Sequence, residues 1–264
     1  MRLIVGGDST IGKALSSEWK RRRILFKSSS RRPELVSNDR PFIDLNLREW
    51  NVIKEYEFEV AILCTAITSL EECNKNPKTT REVNVVRKKE MAKDLADKGI
   101  HIIMISSNQV FDGKKPLREV SEPTNPKTEY GKQLEELEKY LISFPKTTIL
   151  RLSKVVHSNL SILKEWKIKL EKGKKIHPFN DLTLSPIPLE IVVKNLEKII
   201  VEKIFGVKQF SSKTEITYEE FAYDFCKKIG ANKELIYPIS FKEKETNLEI
   251  YSNYNSLKTS EEFI

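Results

Sequence analysis

Seven residues near the start of the chain, Gly6-Gly7-Asp8-Ser9-Thr10-Ile11-Gly12, have the types and spacing that a bound pyrophosphate requires. They follow a short β run, Arg2–Val5, and open a helix. That context makes a glycine-rich turn informative. Gly6 permits the tight turn out of the strand. Ser9 takes the place of the usual middle glycine and is small enough for backbone N–H groups to approach a phosphate. Gly12 lets the helix pack closely on the strand. The N–H groups of Thr10 and Ile11 then open the helix, whose positive dipole end attracts anions.

A second cue lies about twenty residues on. Sites that prefer NAD(H) often carry an acid there to hold the ribose hydroxyls. Here the segment is Phe26-Lys27-Ser28-Ser29-Ser30-Arg31-Arg32 and contains none. Hydroxyls and the guanidiniums of Arg31 and Arg32 suit a 2′-phosphate, so NADP(H) is expected over NAD(H).

The elements that position these residues read as alternating strands and helices. Strands are expected over Arg2–Val5, Arg23–Phe26, Val60–Cys64, Ile100–Ile105 and Thr147–Leu152, with a short one over Pro41–Ile43. Helices are expected over Ile11–Arg21, Thr79–Ala96 and Tyr130–Ile142, the last with Leu134, Leu137 and Leu141 on one face. Compact apolar strands between amphipathic helices indicate a parallel sheet covered on both faces. The fold class is therefore α/β, a Rossmann-like doubly wound sheet over residues 1–155. Residues 156–264 read mainly as a smaller α/β cap over the substrate, with elements returning to the first domain. Helices are expected there at Leu160–Leu170, Leu189–Val201 and Tyr218–Ile229, the last capped by Thr217. The tail after Phe241 is polar and weakly patterned.

Composition excludes several classes. With 39% hydrophobic and 32% charged residues the chain is globular. It has no apolar run long enough to cross a bilayer and no signal peptide, which places it in the cytoplasm with no membrane partner. The three cysteines fit no zinc pattern and read as reduced thiols. His101 sits in an apolar strand as a core or edge histidine, and His157 and His177 lack neighbours at metal spacing, so no metal is expected. The net charge of +8 comes from lysines interleaved with glutamates, which describes a solvated surface better than a nucleic-acid interface. A homodimer and a protein partner both remain open.

Further strings add to the glycine turn. They are Ile43-Asp44-Leu45; Thr65-Ala66-Ile67-Thr68 running on through Cys73 to Pro77; Val83-Asn84-Val85; Ile105-Ser106-Ser107-Asn108-Gln109-Val110-Phe111-Asp112-Gly113; Glu122-Pro123 and Pro126 ahead of Tyr130-Gly131-Lys132; and Ile149-Leu150-Arg151. In this order they resemble the dTDP-4-dehydrorhamnose reductase group of extended short-chain dehydrogenases/reductases. That group includes a non-catalytic regulatory subunit of methionine adenosyltransferase. The resemblance covers about residues 1–155 well and the rest weakly. It implies a nucleotide-sugar substrate or ligand. It also implies cofactor contacts from Asp44, Leu45, Thr65, Ala66, Thr68, Asn84 and Ser106.

The resemblance further implies a hydroxyl at Ser107 and a proton donor at Tyr130. A lysine four residues after the tyrosine lies on the same helical face and lowers the phenol pKa. That position is Leu134 here, within the apolar stripe. Lys132 is the nearby substitute, although two residues turn it about 200° around a regular helix. Gln109 and Asn108 also depart from the Asp-Tyr of the group. Three functions follow: an NADPH-dependent reductase of a keto nucleotide-sugar in polysaccharide or deoxysugar synthesis, a non-catalytic subunit that keeps the dinucleotide site, and an epimerase or dehydratase. The last needs the same tyrosine–lysine pair and is ranked behind the others.

Overall fold

The computed structural model describes residues 1–244 and 252–263. The first part of the chain forms β1 (Arg2–Val5), α1 (Thr10–Arg21), β2 (Phe26–Ser28), α2 (Val52–Glu55), β3 (Val60–Leu63), α3 (Leu70–Lys75), α4 (Pro77–Arg81), α5 (Lys88–Asp97), β4 (His101–Ser107), α6 (Glu129–Leu141) and β5 (Thr147–Leu152). The rest forms β6 (Lys154–Val156), α7 (Ser161–Glu171), β7 (Thr183–Leu184), β8 (Pro186–Pro188), α8 (Leu189–Glu202), β9 (Gly206–Phe210), β10 (Ile216–Thr217), α9 (Tyr218–Ile229) and α10 (Phe241–Lys244).

Six strands make one sheet in the order β2-β1-β3-β4-β5-β9, every pairing parallel. Successive strand side chains face opposite sides, and the sequence uses both. Leu3, Val5, Ala61, Leu63, Ile102, Met104 and Ile149 face one core with Met91 and Leu95 of α5 and Leu134, Leu137 and Leu141 of α6. Ile4, Val60, Ile62, Ile103 and Leu150 face the other with Leu15 and Trp19 of α1 and Val192, Leu196 and Ile199 of α8. This is the doubly wound α/β arrangement expected from the apolar runs. A third core joins α7 to α9 through Leu163, Trp166, Leu170, Ala222 and Cys226. Thr217 caps α9 in a reciprocal capping box with Glu220.

The second half returns to the sheet twice. β9 adds to β5, and α8 packs on α1, where the buried Glu197 accepts from Trp19 Nε1 and pairs with Arg2 at 2.9 Å. Of the polar tail, residues 245–251 lie outside the described residues. Residues 258–262 run back along the open edge of β9: Ser260 N–H donates to Gln209 O and Gln209 N–H to Ser260 Oγ, both at 2.9 Å. Covering an edge strand in this way blocks edge-to-edge association.

Three expected boundaries shift. The second strand begins at Phe26 and not at Arg23, because Arg23 adopts φ 56° and Ile24 N–H bonds back to Trp19 O to close α1. The short strand at Pro41–Ile43 reduces to a parallel bridge between Ser30 and Phe42. The helix expected over Thr79–Ala96 contains a π-helical stretch, Glu82–Arg87, that aims Asn84 inward. Such bulges recur at functional sites. His101 is the core histidine expected: Nε2 meets Thr148 Oγ1 at 2.7 Å and burial lowers its pKa to about 4.

Lys88, at the start of α5, is 1% exposed and meets no carboxylate among the described residues. Burial lowers its pKa from 10.5 to about 8, against a small opposing effect of Cys64. Between those values the unfolded chain holds a proton that the folded chain has lost, so stability rises with pH across that window. The full difference is worth about 3 kcal/mol. Lys88→Met is expected to stabilise the protein near neutral pH by up to about that amount and to flatten the rise between pH 8 and 10.5. Urea unfolding at several pH values reads both effects.

Candidate active site

The strand order reverses direction of growth at β1, with β2 on one side and β3 on the other. In open α/β sheets the crevice at such a switch point, beyond the carboxyl ends of the strands, is where ligands bind. A cleft of about 690 Å³ opens there, within the usual range for small-molecule sites. Its floor is the glycine turn. Gly6 N–H donates to Ser29 Oγ at 3.0 Å, Gly7 N–H to Ser29 O at 2.9 Å and Ser9 N–H to Gly6 O at 3.0 Å. Ser9 Oγ caps α1 by accepting from Gly12 N–H at 3.0 Å. Of the first-turn donors, those of Thr10 and Ile11 meet no protein acceptor among the described residues, and both residues line the cleft. A Cβ on Gly12 would come within 2.5 Å of Gly6 O, so only glycine lets α1 start this close to β1.

Thr65, Ala66 and Thr68 line the next part of the wall. Asn84 does not reach the cleft. It is buried and holds that loop, accepting from Ile67 N–H at 2.8 Å and donating to Ile67 O at 2.9 Å and Gln133 Oε1 at 2.8 Å. Leu45 is a core residue, and Asp44 Oδ1 accepts from Asn46 N–H in its own turn. Neither lines the cleft. Arg31 is exposed and outside the cleft wall.

Arg32 belongs to a cluster at the end of β2. Asp8 of the glycine turn accepts from Ser30 Oγ at 2.6 Å, Arg32 at 2.9 Å and Arg40 at 2.7 Å. These bonds overcome partial burial and hold the Asp8 pKa at about 2. The segment 26–32 has no acid of its own, but the fold brings Asp8 to it. Two guanidiniums against one carboxylate leave the cluster cationic. Arg40 and Asp8 were not singled out for this place from the sequence, since neither lies in the segment after β2.

The end of β4 and the start of α6 bring the expected hydroxyl and phenol to the same cleft. Ser106, Ser107, Asn108 and Gln109 at the end of β4 and Tyr130 of α6 all line the cleft. Ser106 has its hydroxyl committed to Glu138 of α6, which also pairs with Arg151 of β5 at 2.7 Å; both charged groups are buried. Ser107 Oγ donates to Asn108 Oδ1 at 3.0 Å, and Asn108 Nδ2 donates to Asn255 Oδ1 at 3.0 Å. Asn255 belongs to the returning tail, where Glu215 accepts its backbone N–H at 2.9 Å. A Cβ on Gly131 would lie 2.1 Å from Gln109 O, so glycine there allows α6 to bring Tyr130 against the β4 loop.

Tyr130 is 9% exposed, and burial pushes its phenol pKa up. Leu134, one turn on, is 2% exposed in the core. Lys132 does not substitute for it: its ammonium is exposed, pairs with Glu129 at 2.7 Å and stands outside the cleft. The helix is regular here, with Thr128 capping it, so the 200° offset holds. The second half supplies Ser153, Lys154, His157, Leu160, Thr183, Leu184, Tyr218 and Asn255 to the facing wall.

A parallel doubly wound sheet with a glycine turn at the switch point, and a hydroxyl and a phenol lining the same cleft, defines the class: a Rossmann-type α/β fold. The family model for the RmlD substrate binding domain matches residues 1–261, and the chain belongs to that family. It is 28% identical over 194 residues to a probable low-salt glycan biosynthesis reductase of Haloferax volcanii, covering 70% of this chain and 64% of that relative's length. It is 23% identical over 244 residues to a dTDP-4-dehydrorhamnose reductase of Aggregatibacter actinomycetemcomitans, covering 88% and 80% of the two chains. The crystal structure of a dTDP-4-dehydrorhamnose reductase from Bacillus anthracis in complex with NADP shares the fold, with a TM-score of 0.85 at 18% identity over 98% of this chain and 90% of that one. Among the described residues, no helix is long and apolar enough to cross a membrane.

The Glu138–Arg151 pair is the tie between the helix that carries Tyr130 and the strands that carry Ser107. Removing one partner of a buried ion pair leaves a buried charge uncompensated, at about 3–5 kcal/mol. Glu138→Ala is expected to lose about that much stability in chemical denaturation, with Glu138→Gln losing less because it still accepts from Ser106.

Proposed function

We propose that the protein is a nicotinamide-dependent reductase of a keto nucleotide-sugar, acting in the synthesis of a glycan or deoxysugar. The observation that carries this reading is the placement of Ser107 and Tyr130 in one cleft with the free amides of Thr10 and Ile11. Membership of the family supports it, as do the two reductase relatives. The residues present fit a dinucleotide. The turn amides would hold the pyrophosphate, and Thr65, Ala66 and Thr68 would border the nucleotide along the same wall. A nicotinamide cofactor held there would supply hydride to the carbonyl carbon. Ser107 orients the carbonyl oxygen, and Tyr130 gives it a proton, which solvent replaces.

On this reading a keto nucleotide-sugar drives NADPH oxidation. Tyr130→Phe, which removes only the acidic oxygen, lowers kcat at least about 100-fold and leaves cofactor binding in place. Saturable NADPH binding with no turnover across a panel of keto nucleotide-sugars would instead select the non-catalytic subunit, the reading favoured by the burial of Leu134.

NADP(H) is the proposed preference: Arg32 and Arg40 together outweigh Asp8 at the end of β2 beside the glycine turn, just outside the residues that line the cleft. Charge-assisted bonds to a phosphate are the strong ones. Arg32→Ala with Arg40→Ala is expected to weaken NADPH about tenfold or more and NADH little, by fluorescence titration. Equal affinity for the two cofactors in the unaltered protein refutes the preference.

A further inference from the structure

On the reading that a nicotinamide dinucleotide occupies the cleft, we infer that Asp8 competes with the cofactor's 2′-phosphate for Arg32 and Arg40. Asp8 thereby sets how far the protein favours NADP(H) over NAD(H).

The fold puts Asp8 in the right place. In a sheet of this type the adenosine ribose is held at the end of the second strand. An acid there accepts from its hydroxyls, or an arginine takes a 2′-phosphate. Here the end of β2 is tied to the glycine turn, because Gly6 N–H donates to Ser29 Oγ and Gly7 N–H to Ser29 O. Asp8 comes next in the turn, just before Ser9, which lines the cleft. Ser30 Oγ donates to Asp8 Oδ2 at 2.6 Å. The acid that residues 26–32 lack is therefore supplied from the turn.

The two arginines are shared by Asp8 and not used up by it. Ser30 N–H donates to Pro41 O at 3.1 Å, which sets the Arg40 segment beside β2. Arg32 Nη2 and Arg40 Nη2 then donate to the same oxygen, Asp8 Oδ1, at 2.9 and 2.7 Å. Each guanidinium gives the carboxylate one N–H, whereas the strong form of this pair uses two. Arg40 Nε is buried with no hydrogen-bond partner among the described residues. Glu34 acts on Arg32 only through its charge, with no ion pair between them among the described residues. Two guanidiniums that converge on one oxygen, with donors to spare, are also what a phosphate would meet.

The competition follows from charge. Against partial burial, the bonds from Arg32, Ser30 and Arg40 hold the Asp8 pKa at about 2, so the carboxylate is ionised near pH 7. A phosphate monoester brings nearly two negative charges and three acceptor oxygens. To bind at this cluster it takes N–H groups from Asp8 and comes to lie beside a like charge, and both effects oppose it. The ribose hydroxyl of NAD(H) takes nothing from the arginines and is a donor that a carboxylate accepts. One residue of the glycine turn thus weakens NADP(H) and spares NAD(H).

Calorimetric titration of the full chain with NADPH and with NADH, at one ionic strength, tests this. Asp8→Asn removes the charge and keeps an acceptor for Ser30. It is expected to tighten NADPH about tenfold and not to tighten NADH. In a protein that already carries Arg32→Ala and Arg40→Ala, the same change is expected to gain about twofold at most. Asp8→Ala is the second variant if the asparagine protein does not fold, which urea unfolding shows. NADPH affinity that is unchanged or weaker in Asp8→Asn overturns the inference, since Asp8 would then only organise the arginines. An equal gain for NADH, or an equal gain without the arginines, overturns it as well. An unaltered protein that binds neither dinucleotide removes the reading beneath it, and the inference falls with that reading. Binding of both with an unmoved NADPH-to-NADH ratio in Asp8→Asn defeats the inference alone.

Discussion

The buried pair of Glu138 and Arg151 is the constraint on which the cleft depends. Glu138 sits two turns after Tyr130 on α6 and accepts from Ser106, the residue before Ser107, and from Arg151 on the next strand. Arg151 extends the tie to Gln209 of β9, and Gln209 bonds the returning tail. One carboxylate thus joins helix, central strands, edge strand and tail. Its charge is satisfied on all sides, which is the condition under which a buried ion pair is tolerable. Its yield is positional. The spacing between the phenol on the helix and the hydroxyl at the strand end is set from behind the cleft, at the cost of the Ser106 hydroxyl, which the tie occupies.

From that fixed wall the rest of the site follows by packing. Gly131 allows α6 to touch the β4 loop, and Asn84, turned inward by the π-helical stretch, fixes the loop that carries Thr65 and Thr68. The tail adds Asn255 behind Asn108, so the hydroxyl of Ser107 is held through two amide side chains from a segment about 150 residues away. Each is a polar group removed from water with its partners supplied by the fold, and a buried site pays a penalty for any that are left unpaired.

What could be read from the sequence divides along physical lines. The strands, the helices and the turn from Gly6 to Gly12 were legible because their signals are local: apolar periodicity, a glycine at a close approach, a serine at a helix cap. Lys132 stayed a candidate in the sequence, and only the regular helix capped by Thr128 in the structure turns it away from Tyr130. The roles that depend on tertiary placement were not legible. Asn84 looked like a cofactor contact, but its amide is used to hold a loop. Asp8 lies in the glycine turn and gives no sign, in one dimension, that it meets Arg32 and Arg40. Arg23 belonged by composition to a strand, yet closing α1 required it in a left-handed turn. Asn255 follows a polar, weakly patterned stretch, and only its contacts reveal its place in the wall.

Leu134 ties these two levels together. It continues the stripe of Leu137 and Leu141, and in the structure that stripe is the floor of one core. A helix has a limited circumference. With one face given to Leu134, Leu137 and Leu141, another to Glu138, and Gly131 against the β4 loop, α6 keeps only Tyr130 for the cleft. An ammonium in place of Leu134 would have to leave the core for the cleft at the expense of packing, and burying it unpaired is the costlier alternative. The apolar stripe and a helical lysine compete for the same residue, so a cation in this cleft has to come from another element.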